Sequence, residues 1–150
     1  MYTAVRTILL AEDNANDIEL TLVALRANRV ANEVVVVRDG AEALDYLYRR
    51  GDFAGRAEEH PGLILLDLKM PKVDGVEVLR RIKSDPALKT IPVVMLTSSK
   101  EEHDLVRTYD LGVNAYVVKP VDFVGFQEAV KVLGQFWAVV NESPPPRPTS

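Results

Sequence analysis

The feature that most constrains the fold of this chain is an apolar segment, Leu-Ile-Leu-Leu at residues 63–66, that runs directly into Asp67. Gly62 precedes the segment and Pro71 follows closely, so the run has the length of a strand. Aliphatic residues without polar alternation predict a strand that is buried on both faces. Packing does not explain a carboxylate at the end of such a strand, whereas open α/β sheets bind ligands at that end. We therefore expect Asp67 to be the reacting group of this protein.

Four other apolar or β-branched runs predict further strands, and a segment with helical spacing follows each of the five strands. The predicted strands are 7–11, 33–37, 63–67, 91–97 and 115–118, and the predicted helices are about 16–28, 40–48, 75–84, 101–111 and 122–141. The valine-rich second strand is expected to be buried like the first. This alternation predicts an α/β fold, in which helices cover both faces of a parallel sheet.

The length of 150 residues suits one domain, which we expect to span 1–142 with a core at about 6–140. Residues 143–150 are rich in proline and are expected to be a disordered tail, with nothing left for an output domain. The net charge of −4 argues against nucleic-acid binding, and no apolar run approaches the roughly 18 residues of a membrane span. With no cysteine and no signal peptide at the start, a cytoplasmic protein is expected.

Charged and hydroxyl side chains stand at the ends of four predicted strands. They are Glu12 and Asp13 after the first strand, Asp67 on the third, Thr97 on the fourth and Lys119 after the fifth. In a parallel sheet these ends share one edge, so the side chains are expected to converge. Three carboxylates that meet repel one another and demand a cation, and oxygen ligands of this kind suit Mg²⁺. With Lys119 and Thr97 beside it, Asp67 is placed to accept a phosphoryl group as a nucleophile.

The motifs that end these strands resemble a known family. They are Glu12-Asp13, Leu-Asp-Leu-Lys-Met-Pro at 66–71, Asp74-Gly75, Leu-Thr-Ser at 96–98 and Lys119-Pro120. Over about residues 6–140 the chain resembles the receiver domain of two-component response regulators. The long polar connection 49–62 and the expected lack of an output domain make it most similar to the small single-domain regulators that pair with phytochrome-type histidine kinases. The resemblance implies a flavodoxin-like (βα)5 fold, doubly wound, with strand order 2-1-3-4-5.

The resemblance also implies a role for each acid. Asp67 would be the phosphoacceptor, taking its phosphoryl group from the phosphohistidine of a sensor histidine kinase, which in this branch of the family would be of the bacteriophytochrome type. Mg²⁺, with Mn²⁺ as a substitute, would bind Glu12, Asp13, Asp67 and the backbone carbonyl of Lys69. Many relatives carry a neutral or acidic residue where Lys69 stands, so the lifetime of the phosphorylated state is expected to depend on this side chain.

A two-state switch is implied as well. Lys119 would pair with the phosphoryl group, and the Lys119-Pro120 peptide bond would be cis. Thr97 would move toward the phosphoryl group, and Tyr116 would turn inward into the space that Thr97 leaves.

The last predicted helix carries more apolar surface than one contact with the sheet requires. A second stripe, which includes Val132, Phe136 and Val139, lies beside the stripe expected to dock on the sheet. This surplus favours a homodimer, and related receivers often pair through the face made by helix 4, strand 5 and helix 5. The alternative is that the end of the helix folds back on its own domain.

Two other functions are alternatives to that of a phosphorylated signalling module. A metal-dependent phosphatase with an aspartyl-phosphate intermediate would need an acid two residues beyond its nucleophile, where this chain has Lys69. A receiver-like scaffold that is never phosphorylated would be expected to have lost its acids, yet Glu12, Asp13 and Asp67 are all present. We therefore expect a response regulator whose only chemistry is self-catalysed phosphotransfer and autodephosphorylation.

Overall fold

A five-stranded parallel sheet forms the centre of the part of the chain that the structure describes. The computed structural model describes residues 7–28, 30, 32–56, 59–98, 113 and 115–133. The strands are β1 (Ile8–Ala11), β2 (Val34–Val37), β3 (Leu63–Asp67), β4 (Val93–Thr97) and β5 (Ala115–Val118). Their order is β2-β1-β3-β4-β5, and every neighbouring pair is parallel. The predicted α/β class and strand order are confirmed.

Helices flank the sheet and begin where side chains cap them. Within the described residues they are α1 (Ala15–Ala27), α2 (Gly40–Tyr48), α3 (Gly75–Ser84) and α4 (Phe123–Leu133). Asn14, Asp39 and Asp74 each accept a hydrogen bond from a backbone N–H in the first turn of α1, α2 and α3 respectively. The predicted helix 101–111, residues 134–141 of the last predicted helix and the tail 143–150 lie outside the described residues. No helix in the described ranges is long and apolar enough to cross a bilayer.

The sheet separates two hydrophobic cores. Alternate residues of a strand point to opposite faces, so Ile64 and Leu66 join the core beneath α2 and α3, whereas Leu63 and Leu65 join the core beneath α1 and α4. All five residues of β3 are buried, as its unbroken apolar run predicts. The prediction that the second strand is equally buried was wrong. Its residues 34–36 are only partly buried because β2 lies at the edge of the sheet.

The long connection after α2 is bound to that helix rather than projecting from it. It begins with a 3₁₀ turn, Gly51–Phe53, and the Phe53 ring packs edge-on against Tyr46 with centroids 5.1 Å apart. Arg56 also contacts Tyr46, with its guanidinium carbon lying over the ring at 4.2 Å from the ring centre. The same guanidinium donates to the backbone carbonyl of Tyr46, at 2.6 Å.

Two glycines bring helices against the loop that follows β3. A Cβ on Gly40, the first residue of α2, would lie 1.7 Å from the carbonyl oxygen of Val73. A Cβ on Gly75, the first residue of α3, would lie 2.2 Å from the carbonyl oxygen of Asp67. These contacts leave no room for a side chain, so the position of the loop after Asp67 depends on both glycines.

Candidate functional site

The sheet brings the predicted site residues to one edge. Asp67 pairs with Leu96 across β3 and β4, and Thr97 pairs with Val118 across β4 and β5. Ala11, the last residue of β1, pairs with Leu66, so Glu12 and Asp13 follow at the level of Asp67. Three of these groups are buried, with Glu12 and Thr97 fully enclosed and Asp67 2% exposed. The site therefore has the geometry expected of a parallel sheet, in which the carboxyl ends of the strands meet at one edge.

Lys119 is the cation at the centre of the carboxylates. Its ammonium nitrogen lies 3.1 Å from Asp67 Oδ1 and 3.2 Å from Glu12 Oε1. Its backbone N–H donates to the carbonyl of Thr97 at 2.7 Å, which anchors the residue to the end of β4. The following peptide bond, to Pro120, is cis, the geometry that the family resemblance implied.

Burial dominates the electrostatics of the acids. Burial raises the pKa of Glu12 to about 7; the Asp67 charge adds to this rise, whereas the Asn14 N–H and Lys119 oppose it. Burial also raises the pKa of Asp67, against the opposing effect of the Lys119 ammonium. Burial alone would lower the pKa of Lys119, but the Asp67 and Glu12 carboxylates raise it above its ordinary value. The site therefore holds more negative charge than a single lysine compensates.

Three carboxylates are arranged as a cation would require. Glu12, Asp13 and Asp67 each offer an oxygen, and these oxygens lie within 4.8 Å of one another. Glu12 and Asp67 are buried and Asp13 is exposed, so the cluster is open to solvent on one side. An oxygen-only set of this kind fits a hard divalent cation that retains water ligands. The Lys69 backbone N–H donates to the Asp67 carboxylate, and the Lys69 side chain is exposed.

The two predicted switch residues lie on one face of the sheet. Thr97 is fully buried, yet its hydroxyl has no hydrogen-bond partner among the residues that the structure describes. Tyr116 pairs with Met95, two residues before Thr97, and is half-buried against the core beneath α2 and α3. A buried hydroxyl without a partner is costly, and such groups often mark a functional position.

Val132 lies within α4, while Phe136 and Val139 of the predicted interface lie outside the described residues.

Two site contacts were not predicted from the sequence. Asp17 Oδ2 lies 3.2 Å from Lys119 Nζ, so a third carboxylate shares the lysine. Arg38, which follows β2, donates from Nη2 to the backbone carbonyl of Asp13 at 3.1 Å. Asp17 falls in the first turn of α1, four residues after Asp13, and that spacing was the available signal. No spacing in the sequence indicated the Arg38 contact, because Arg38 follows β2 whereas its partner Asp13 follows β1.

Comparison with known proteins gives a family and close relatives. The family model described as the response regulator receiver domain matches residues 8–131. The chain is similar to the response regulator Rcp1 of Synechocystis sp., at 39% identity over 132 residues that cover 88% of each protein.

Solved structures of similar proteins cover nearly the whole chain. The bacteriophytochrome response regulator RtBRR has a TM-score of 0.88 and 61% identity, covering 95% of this chain and 86% of that one. The phosphorylated cyanobacterial phytochrome response regulator RcpA has a TM-score of 0.73 and 46% identity, with coverage of 95% and 100%. The Mn²⁺-bound form of Rcp1 has a TM-score of 0.70 and 37% identity, with coverage of 95% and 99%.

Proposed function

The chain belongs to the response regulator receiver domain family, and on that premise we propose that it accepts a phosphoryl group on Asp67 from a histidine kinase. The observation that carries this proposal is the buried Asp67 carboxylate, 3.1 Å from the Lys119 ammonium and beside two further acids. A carboxylate at the end of a central strand, with a cation on one side and oxygen ligands on the other, is suited to hold a phosphoryl group.

The transfer exchanges one bond to phosphorus for another. A carboxylate oxygen of Asp67 attacks the phosphorus of the kinase phosphohistidine and forms the O–P bond. The P–N bond breaks, and the imidazole nitrogen keeps its electron pair. Lys119 is placed to neutralise charge on the phosphoryl oxygens, because its ammonium already faces Asp67. The product is an acyl phosphate on Asp67.

We propose that the resident metal is Mg²⁺, with Mn²⁺ as a substitute. Glu12, Asp13 and Asp67 would hold it, together with the backbone carbonyl of Lys69. The ion supplies charge neutralisation at the phosphoryl oxygens when it is bound. The existence of a Mn²⁺-bound form of the similar protein Rcp1 supports a divalent cation as the ligand of this chain.

Removal of the metal tests the proposal directly. We expect acetyl phosphate to add one phosphoryl group per chain in Mg²⁺, measured by intact-protein mass spectrometry. With EDTA in place of Mg²⁺, labelling should fall to background because the acids then repel an anionic donor. Mn²⁺ should restore labelling after EDTA treatment. Equal labelling with and without metal would refute the metal requirement.

The proposed kinase partner is of the phytochrome type. RtBRR is described as a bacteriophytochrome response regulator and RcpA as a cyanobacterial phytochrome response regulator. From this likeness we infer signalling from a bacteriophytochrome histidine kinase in the cytoplasm. The protein would act as a switch and not as an enzyme, apart from self-catalysed phosphotransfer and autodephosphorylation. The phosphatase alternative is not favoured, since Lys69 stands where that reaction needs an acid.

The switch would use Thr97 and Tyr116. A phosphoryl group on Asp67 offers an acceptor to the Thr97 hydroxyl, which has no partner within the described part of the chain. Movement of Thr97 toward it would open space on the face that Thr97 shares with Tyr116. Tyr116 would then turn inward, and the altered surface of β5 would report phosphorylation.

We also propose a homodimer through Val132, Phe136 and Val139, on the face made by the predicted helix 101–111, strand β5 and the last predicted helix, 122–141. Replacing both Phe136 and Val139 with Asp should shift the protein toward monomer in analytical ultracentrifugation, because buried carboxylates without partners oppose association. Val23→Asp is the matched control, since Val23 is an exposed valine on α1. A dimer that persists in the double variant would exclude this surface.

A further inference from the structure

The Lys119 ammonium is shared by three carboxylates. Its nitrogen lies 3.1 Å from Asp67 Oδ1, 3.2 Å from Glu12 Oε1 and 3.2 Å from Asp17 Oδ2. An ammonium group has three N–H donors and no acceptor. Glu12 accepts hydrogen bonds from this ammonium through both carboxylate oxygens, at 3.2 and 3.5 Å, and Asp67 and Asp17 lie within ion-pair distance of it. A phosphoryl oxygen that pairs with Lys119 therefore competes with these three acids for the ammonium.

We propose that Asp17 is a positioning residue, which holds Lys119 in the unphosphorylated protein and competes with the phosphoryl group for its ammonium. The proposal rests on the proposed function, since it assigns the order in which contacts of Lys119 are exchanged. Asp17 takes no part in bond formation at phosphorus. It acts on the reaction only through the position of the lysine.

Burial indicates which acid releases the lysine. The Glu12 side chain is fully buried and also accepts the backbone N–H of Asn14 at 3.1 Å, so it is held in place. Asp67 becomes the site of the new bond and remains beside the lysine. The Asp17 side chain is 23% exposed, and water can replace the ammonium at its carboxylate. Release of Asp17 costs least, because an exposed carboxylate regains its hydration.

The backbone of Asp17 is fixed, so release is a change of its side chain. Asn14 Oδ1 accepts the Asp17 N–H at 2.9 Å as the cap of α1. The Thr21 hydroxyl donates to the Asp17 carbonyl at 2.8 Å from the next turn. The carboxylate is thus delivered to Lys119 from a rigid first turn. Substitution of the side chain should leave this turn intact.

Asp17→Asn is the variant that tests competition. It removes the competing charge and the repulsion between Asp17 and an anionic donor. In Mg²⁺, the acetyl phosphate concentration that half-saturates labelling should fall about three- to fivefold, as expected for an ion pair at the strong end of the partly exposed range. The limiting rate should change by less than about twofold, because the bonds made at phosphorus are the same. If Asp17 had only a structural role, the half-saturating concentration would not fall while the limiting rate stayed nearly constant.

Two further variants control for charge and shape. Glu19→Gln removes the same charge from an exposed position on the same helix, and should leave labelling at the wild-type level. Asp17→Glu keeps the charge and should label more like wild type than Asp17→Asn does. Thermal unfolding of each variant checks that all are folded.

The outcomes separate this proposal from the proposed function. If wild-type protein is not labelled, or Asp67→Asn is labelled equally, the proposed function fails and the role of Asp17 fails with it. If wild type is labelled at Asp67 but Asp17→Asn is unchanged, slower, or no different from Glu19→Gln, only the role of Asp17 is overturned.

Discussion

Replacing Asp67 with Asn is expected to abolish Mg²⁺-dependent labelling by acetyl phosphate. An amide is not a nucleophile toward phosphorus, whereas the carboxylate is. Asn has nearly the same shape as Asp, and Lys119 keeps its contacts with Glu12 and Asp17 in the variant. The fold should therefore persist, and loss of labelling will report chemistry. Intact-protein mass spectrometry after incubation with the donor measures the result.

Asp52→Asn is the control for this experiment. Asp52 is an exposed acid in the 3₁₀ turn after α2, and its replacement should leave labelling intact. Labelling that survives unchanged in Asp67→Asn would move the phosphoacceptor to another residue. Loss of labelling in both variants would mean that removing any negative charge, and not the nucleophile in particular, prevents labelling.

Replacing Gly40 with Ala is expected to lower the free energy of unfolding more than the other substitutions proposed for this protein. The new Cβ would lie 1.7 Å from the Val73 carbonyl oxygen and 2.5 Å from the Val73 carbonyl carbon, both backbone atoms. Either α2 or the loop after β3 must then move. Overpacking of this kind costs about 3 kcal/mol at the upper end of its usual range, or about 6–12 °C in Tm for a domain of this size. Denaturant and thermal unfolding measure the change.

Gly55→Ala provides a matched comparison. A Cβ on Gly55 would meet nothing within 4 Å, so this variant should stay within about 0.5 kcal/mol of wild type. The Gly40 variant should also label more slowly with acetyl phosphate, because Val73 belongs to the loop that follows Asp67. Equal stability of the two variants would contradict the tight contact between α2 and this loop.

Most of the fold follows from local patterns. Each strand is an apolar run that leads to a polar residue, and the short length of these runs together with their β-branched residues favours strands over helices. The caps of α1, α2 and α3 are residues that prefer helix N-termini, so the helix starts were visible as well. The burial of β2 was mispredicted for a physical reason. A valine-rich sequence is compatible with both an edge strand and a central strand, and only the order of the strands in the sheet shows that β2 lies at the edge.

The chemical groups at the strand ends could be identified from local sequence, because each lies beside its own apolar run. How those groups share the Lys119 ammonium depends on the packing of distant segments. Asp17 and Lys119 are 102 residues apart in the chain and reach 3.2 Å only because the fold brings the first turn of α1 beside the residue that follows β5. The close approach of Gly40 to Val73 has the same origin. Contacts between distant segments depend on packing directions that local periodicity does not encode.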